Sequence, residues 1–212
     1  DEERLMYKNL QYGNSNGSYS IKNLNTALSR QELAGVFFFS IPGPKMIWQF
    51  GELGYDISID QNGRTGKKPI KWDYFTVTER KKIYDVWATL IAFKKSHEVF
   101  STNDVTLDVG ELVKRINLKH ASNNVTIVGN FDVIPKTINP NFSSTGTWYE
   151  YFTSSTLNVT NTTDAITLQP GEYRLYSTAV LDNPLSVDDE KSIFTEVVLF
   201  PNPSTSFFKI NQ

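Results

Sequence analysis

The chain has 212 residues, with 21 basic and 23 acidic side chains and a formal net charge of −2. That near balance argues against a nucleic-acid partner, which calls for a basic face. Cysteine is absent, which excludes a disulfide framework, a zinc–thiolate site and a thiol nucleophile, while 39% hydrophobic and 13% aromatic content suit a packed core.

No apolar run approaches the ~18 residues a membrane span needs. The run LAGVFFFSI is nine residues long and reads as the buried end of a helix. The start at Asp1 reads as a cut end, so the lack of a leader there carries no information.

Taken in chain order, residues 1–20 read as polar and loop-like after DEERLMYKNL, with GNSNGS as the clearest breaker cluster. Residues 23–39 predict a helix. Leu24, Ala27 and Leu28 begin one face, and apolar side chains then spread all round by Phe37-Phe38-Phe39, as in a helix buried against a sheet. Pro42-Gly43-Pro44 stops it. KMIWQF, residues 45–50, is a short apolar run between proline and glycine, which predicts a buried parallel strand.

Residues 51–75 form a long loop containing DQNGRTGKKP, and loops of that length inside a domain tend to be functional. Thr76-Val77-Thr78-Glu79 matches a capping box. Behind it Ile83, Val86, Trp87, Leu90 and Ile91 keep helical spacing to about Ser96. Helix, strand, long loop and helix compose an α/β unit. After His97 the pattern changes to short runs, LVKRINLKH, NNVTIVGNF, GTWYEYF and DAITLQPGEYRLYST, separated by Asn, Gly, Pro and Thr. That is the pattern of an antiparallel β-sandwich. Pro170-Gly171 fits a tight turn into the last strand. LDNPLSVDDEKS is polar and proline-containing, and reads as a linker.

The order of these pieces resembles the C-terminal part of a glycoside hydrolase family 13 enzyme, an α-amylase. That family has a (β/α)8 barrel followed by a β-sandwich called domain C. Its eighth barrel strand carries a G-x-P, an apolar strand and then G-x-E. Pro42-Gly43-Pro44 through Phe50-Gly51-Glu52 resembles that block, with Pro44 in the proline position. The Arg, Pro and Trp that follow in the family correspond to Arg64, Pro69 and Trp72. WATLIAFKKSHEVF resembles the last barrel helix, and LQPGEYRLYS the close of domain C. The family also carries His-Asp at the end of the seventh strand, often with an Arg three residues after the Asp. DEER resembles its second half, with Asp1 as the Asp and Arg4 as the Arg. VVLFPNPS with FFKI resembles the opening of the type IX secretion sorting domain of Bacteroidetes-type secreted proteins.

The resemblance implies an α/β portion, the C-terminal part of a (β/α)8 TIM barrel, followed by an antiparallel sandwich. Residues 1–97 would be the barrel from after strand seven through helix eight and 98–182 domain C. Residues 183–194 would be a linker, and 195–212 the truncated start of a sorting domain. It implies a retaining enzyme acting on α-1,4-glucan, secreted or held at the cell surface through the type IX machinery. Asp1 would be the carboxylate that stabilises the transition state, and Arg4, Glu52, Tyr55 and Arg64 would contact substrate. Retaining hydrolysis needs a nucleophile and a general acid about 5–5.5 Å apart. In this family those groups sit on the fourth and fifth strands, outside this chain, so the segment alone is expected to be inactive.

Plainer readings of these residues stand beside those roles, beginning with Asp1 as an ordinary exposed acid at a ragged end. Glu52 braces the loop or touches sugar. Arg64 pairs with Asp56 or Asp60 on the loop surface or reaches substrate. Tyr55 stacks on a sugar ring or anchors the loop. Trp72 and Trp87 read as core, and Trp148 as part of the sandwich or, as the lesser alternative, an exposed platform that stacks on starch. His97 and His120 are far apart in sequence, and with no Cys a metal site is not expected on them. Family members often bind calcium through oxygen ligands from earlier in the chain, and DQNGRTG lacks the alternating carboxylates and closing Glu of a calcium loop. No cofactor is therefore expected in this segment. Asn124-Val125-Thr126 and Asn158-Val159-Thr160 read as turn sequences rather than glycosylation sites. The rival functions are a branching or transglycosylating relative, and a carbohydrate-binding sandwich without catalysis.

Overall fold

The computed structural model describes residues 3–182. Asp1, the linker at 183–194 and the tail at 195–212 lie outside the described residues. The first element is a helix the sequence pattern did not announce, α1 at Leu5–Tyr12, which buries Met6. A short hairpin follows, β1 at Ser15–Asn16 with β2 at Tyr19–Ser20. These replace the loop expected over residues 1–20.

α2 spans Leu24–Ser40. The Asn23 side chain caps it, accepting from the backbone N–H of Asn25 at 3.0 Å and of Thr26 at 3.4 Å. Such a cap is worth ~1 kcal/mol. Its core face carries Ala27, Leu28, Leu33, Val36, Phe37 and Phe39. Phe38 points outward and stays 45% exposed, so the apolar end is not buried all round.

Residues 45–50 do not form the expected strand. Met46 and Trp48 stand 77% and 62% exposed. A parallel strand needs neighbours for its backbone N–H and C=O groups. Among the described residues no strand lies alongside this stretch.

α3 spans Thr78–Ser96. The expected capping box does not form. Val77 occupies the cap position without a side-chain bond, and the Thr76 hydroxyl donates to the Asp73 carbonyl instead. Arg80, Ile83, Trp87, Leu90 and Phe93 form its buried stripe at helical spacing. α2 and α3 pack closely because Gly35 has no side chain: a Cβ there would lie 1.9 Å from Trp87 Nε1.

Eight strands follow: β3 (Asp104–Asp108), β4 (Val113–Lys119), β5 (Asn124–Asn130), β6 (Lys136–Ile138), β7 (Gly146–Glu150), β8 (Ser155–Val159), β9 (Ile166–Leu168) and β10 (Tyr173–Ser177). Six make an antiparallel sheet in the order β3-β4-β5-β10-β7-β8, and β6 pairs with β9. Side chains alternate between its faces. Ile116, Leu118, Val125, Ile127 and Leu175 join a core with Leu28, Leu33, Phe37, Leu90 and Phe93 of the helices. Val128, Trp148 and Tyr176 face the other way and close a second core with Phe142, Val159 and Leu168. Each fully buried Leu or Phe contributes roughly 1.5–3 kcal/mol.

The helical part and the sheet thus share one apolar core. α2 approaches the sheet at Gly129, where a Cβ would meet Leu33 and Phe37 at 2.6 Å. Arg30 of α2 also donates to the Phe131 and Asp132 carbonyls at 2.5 and 3.4 Å. Trp87 and Trp148 are core residues, whereas Trp72 is 70% exposed, its ring edge-on to Phe50. Phe50 and Tyr55 already fill the pocket under that loop, which leaves Trp72 outside it.

Candidate functional site

The site is built around the corner Phe50-Gly51-Glu52. Phe50 takes a left-handed conformation, φ 55°, and Gly54 takes φ 65° at the far end of the short 3-10 turn Gly51–Leu53. Between them Gly51 N–H donates to Trp48 O at 2.8 Å, and Tyr55 N–H to Phe50 O at 3.2 Å. Gly54 must be glycine twice over, because a Cβ would also meet Leu28 at 2.5 Å.

Two side chains hold the loop that follows. Arg80 is 4% exposed and donates to the Leu53 and Gly54 carbonyls at 3.1 and 2.6 Å and to the Asp56 carboxylate at 2.8 Å. Its guanidinium lies 3.7 Å from the centre of the Tyr74 ring. The Tyr74 hydroxyl donates to Asp56 at 2.6 Å. Burial first, and then this bond to a carboxylate, push the Tyr74 hydroxyl far above its ordinary pKa.

Glu3 is the second anchor. Its carboxylate accepts from Ile59 N–H at 2.8 Å, from Arg4 N–H at 2.7 Å and from the Ser58 hydroxyl. Burial raises its pKa, but these three bonds and the Arg4 charge together outweigh that and hold it below the usual value. The segment that begins next to Asp1 is therefore tied to the loop after Glu52.

The expected site residues fall into two groups. Arg4, Tyr55 and the turn bearing Glu52 come together. The Arg4 guanidinium lies 4.4 Å from the Tyr55 ring centre, and its Nη1 donates to Gln49 O at 3.4 Å. Burial lowers the Arg4 pKa, opposed by Tyr55 and Glu3. Tyr55 is 2% exposed, stacks on Phe50 and donates its hydroxyl to Pro69 O, so its ring is an anchor with no open face in this chain. The Glu52 side chain is half-buried, and its carboxylate has no hydrogen-bond or ion-pair partner among the described residues. Arg64 stands apart on the loop, 3.9 Å from Asp60 and exposed. Asp1 lies outside the described residues.

Arg80 and Glu3 were not singled out from the sequence. TERKK looks like a solvated helix start, and one arginine within a charge run carries no mark of burial. The available signal was its place in the stripe 80, 83, 87 and 90.

A cavity of about 380 Å³ opens beside this corner, lined by Arg4, Tyr55, Gly51, Met46, Ile47 and Trp48. Its polar groups suit a ligand that accepts from a guanidinium. His97 and His120, distant in sequence, line one cleft with Glu98, and His120 Nε2 lies 3.8 Å from that carboxylate. Among the described residues no group of three or more His, Asp or Glu side chains converges to hold a metal ion.

No protein-family model matches the sequence, and no curated protein matches it. Solved structures do resemble it. AmyP, solved with maltose, superposes with a TM-score of 0.60 at 14% identity, over 75% of this chain and 36% of that one. The α-amylase of Geobacillus thermoleovorans, solved with acarbose, gives 0.55 at 14% identity, over 71% and 33%. A cyclomaltodextrinase gives 0.57 at 17% identity, over 70% and 26%. The chain spans about a third of the length of these neighbours or less. The likeness establishes the fold: the described residues adopt the arrangement of the C-terminal part of α-amylase-type chains.

Proposed function

We propose that this chain is the end of the catalytic barrel and domain C of a family 13 enzyme that cleaves α-1,4-glucan with retention. One observation carries the reading. Helix, proline-bounded apolar run, Gly51-Glu52 corner, long loop, helix and sandwich occur in one fold shared with α-glucan enzymes, two of them solved with maltose or acarbose.

In that role the Gly51-Glu52 corner and Arg4 line the substrate cleft at the C-terminal ends of barrel strands seven and eight, where barrel enzymes place their sites. Asp1 hydrogen-bonds the distorted sugar, and the free carboxylate of Glu52 accepts from a hydroxyl. Nucleophile and general acid come from strands outside this segment. The shared core between α2, α3 and the sheet weighs against an independent binding sandwich, because such a module has no need of the two helices. The same reading takes the VVLFPNPS tail as a type IX address and the parent as a secreted or surface enzyme.

The test is the coding sequence upstream of Asp1. An open frame whose last codon before Asp1 encodes His, with further carboxylate blocks before it, supports the reading. A frame that begins at Asp1 overturns it.

A further inference from the structure

An asparagine followed by glycine is prone to lose its side-chain amide without a catalyst. The glycine carries no Cβ, so its backbone nitrogen can approach the asparagine Cγ freely. The chain contains two such pairs, Asn16-Gly17 and Asn62-Gly63, and both are exposed. The fold treats them differently.

Asn16-Gly17 forms the tip of the hairpin β1–β2, with Gly17 at φ 54° in open space. Among the described residues the Gly17 N–H donates to nothing, and the Asn16 side chain has no partner. Each strand of the hairpin is two residues long. A two-stranded hairpin is marginal by itself in water, so this one opens locally at little cost. At the other pair both reacting groups are engaged. Gly63 N–H donates to Asp60 O at 2.8 Å, and Asn62 Nδ2 donates to Lys67 O at 3.1 Å. Lys68 Nζ ties the loop shut, donating to the carbonyls of Gln61 at 2.8 Å and Gly63 at 2.6 Å.

We propose that Asn16 is a site of spontaneous conversion to aspartate and isoaspartate, and that the loop around Lys68 protects the identical pair at Asn62. The deprotonated Gly17 nitrogen attacks Cγ of Asn16. The bond from Cγ to Nδ2 breaks, and ammonia leaves with a proton from solvent. Water then opens the succinimide ring. Opening at Cγ gives aspartate, and opening at the main-chain carbonyl gives isoaspartate. One water is consumed, one ammonia is released, and nothing is oxidised or reduced. Isoaspartate adds a methylene to the main chain beside the Asn16–Tyr19 pair. Tyr19 accepts from Arg30, which also holds the Phe131 and Asp132 carbonyls, so the modified tip adjoins the junction of α2 with the sheet.

The test incubates the full chain in mildly alkaline buffer and follows both sites by peptide mapping. Isoaspartate is read by methyl transfer from S-adenosylmethionine, using isoaspartate carboxyl methyltransferase. Asn16 is expected to convert at least about threefold faster than Asn62, a factor within the range of one hydrogen bond. Denaturing urea should bring the two rates together. Lys68→Met should speed Asn62 and leave Asn16 unchanged. Equal rates in the folded chain, a preference that persists in urea, or a Lys68→Met chain with Asn62 still protected would each overturn the proposal. None of these outcomes bears on the codon before Asp1, so this inference and the enzymatic reading fail separately.

Discussion

Arg80 on α3 meets Asp56 on the long loop at 2.8 Å, and the same guanidinium ties the carbonyls of Leu53 and Gly54. One buried arginine thus secures the loop behind the Gly51-Glu52 corner. Arg80→Leu would leave a carboxylate and two carbonyls without their partner. It is expected to cost about 3–5 kcal/mol, as for other broken buried pairs. Urea denaturation measures it, and a loss under about 1 kcal/mol would show that the loop holds itself.

Glu32 makes stability depend on pH. It is 2% exposed, 3.3 Å from Lys82 Nζ, and accepts from the Tyr173 hydroxyl at 3.0 Å. Burial raises its pKa above 4.5, and the contacts with Lys82 and Tyr173 only partly offset that. The folded state therefore holds the proton more tightly than the unfolded chain. The stability this linkage contributes is fully present below about pH 4.5 and is lost as pH rises through the folded pKa. Urea midpoints between pH 4 and 8 should fall more steeply for the wild type than for Glu32→Gln. Parallel curves would remove Glu32 as the cause.

Gly35→Ala sets helix propensity against packing. Alanine favours a helix interior by about 1 kcal/mol over glycine. Here its Cβ would fall 1.9 Å from Trp87 Nε1, inside the contact between α2 and α3. Overpacking of this kind costs roughly 1–3 kcal/mol or more. The substitution should lower Tm and shift tryptophan emission, whereas a higher Tm would mean the helices can part freely.

The tryptophans separate core from surface. Trp148 is 1% exposed, and Trp148→Ala should cost about 3–5 kcal/mol in thermal or urea unfolding. Trp72 is 70% exposed, and Trp72→Ala should change stability by less than about 1 kcal/mol. Similar losses at both would place Trp72 in the core after all.

The isolated chain is expected to release no reducing sugar from soluble starch, because it supplies at most one of the three carboxylates the proposed reaction uses. Reducing-end assays measure this directly. Hydrolysis at an enzyme-like rate would require a nucleophile and acid within residues 1–212.

Periodicity alone placed α2 and α3 almost to the residue and marked the change to short antiparallel strands after His97. The signal is local there: a stripe recurring every three to four residues, or every two, needs no knowledge of the partner it packs against. Asn23 and the Pro42-Gly43-Pro44 stop belong to the same class. Residues 45–50 show where local reading ends. Their composition is that of a buried strand, yet strand pairing is a relation between segments, and none pairs with them among the described residues.

The site divides the same way. Gly51 and Glu52 are marked in the chain by their place in the block that resembles the family, whereas the left-handed conformation of Gly54 appears only in the fold. That Tyr55 is sealed under Arg4, that Arg64 sits with Asp60, and that Arg80 and Glu3 hold the loop was decided by tertiary structure. Burial and hydrogen bonding of a charged side chain depend on which distant backbone groups surround it, and a charge run looks the same in sequence whether one of its members faces water or the core.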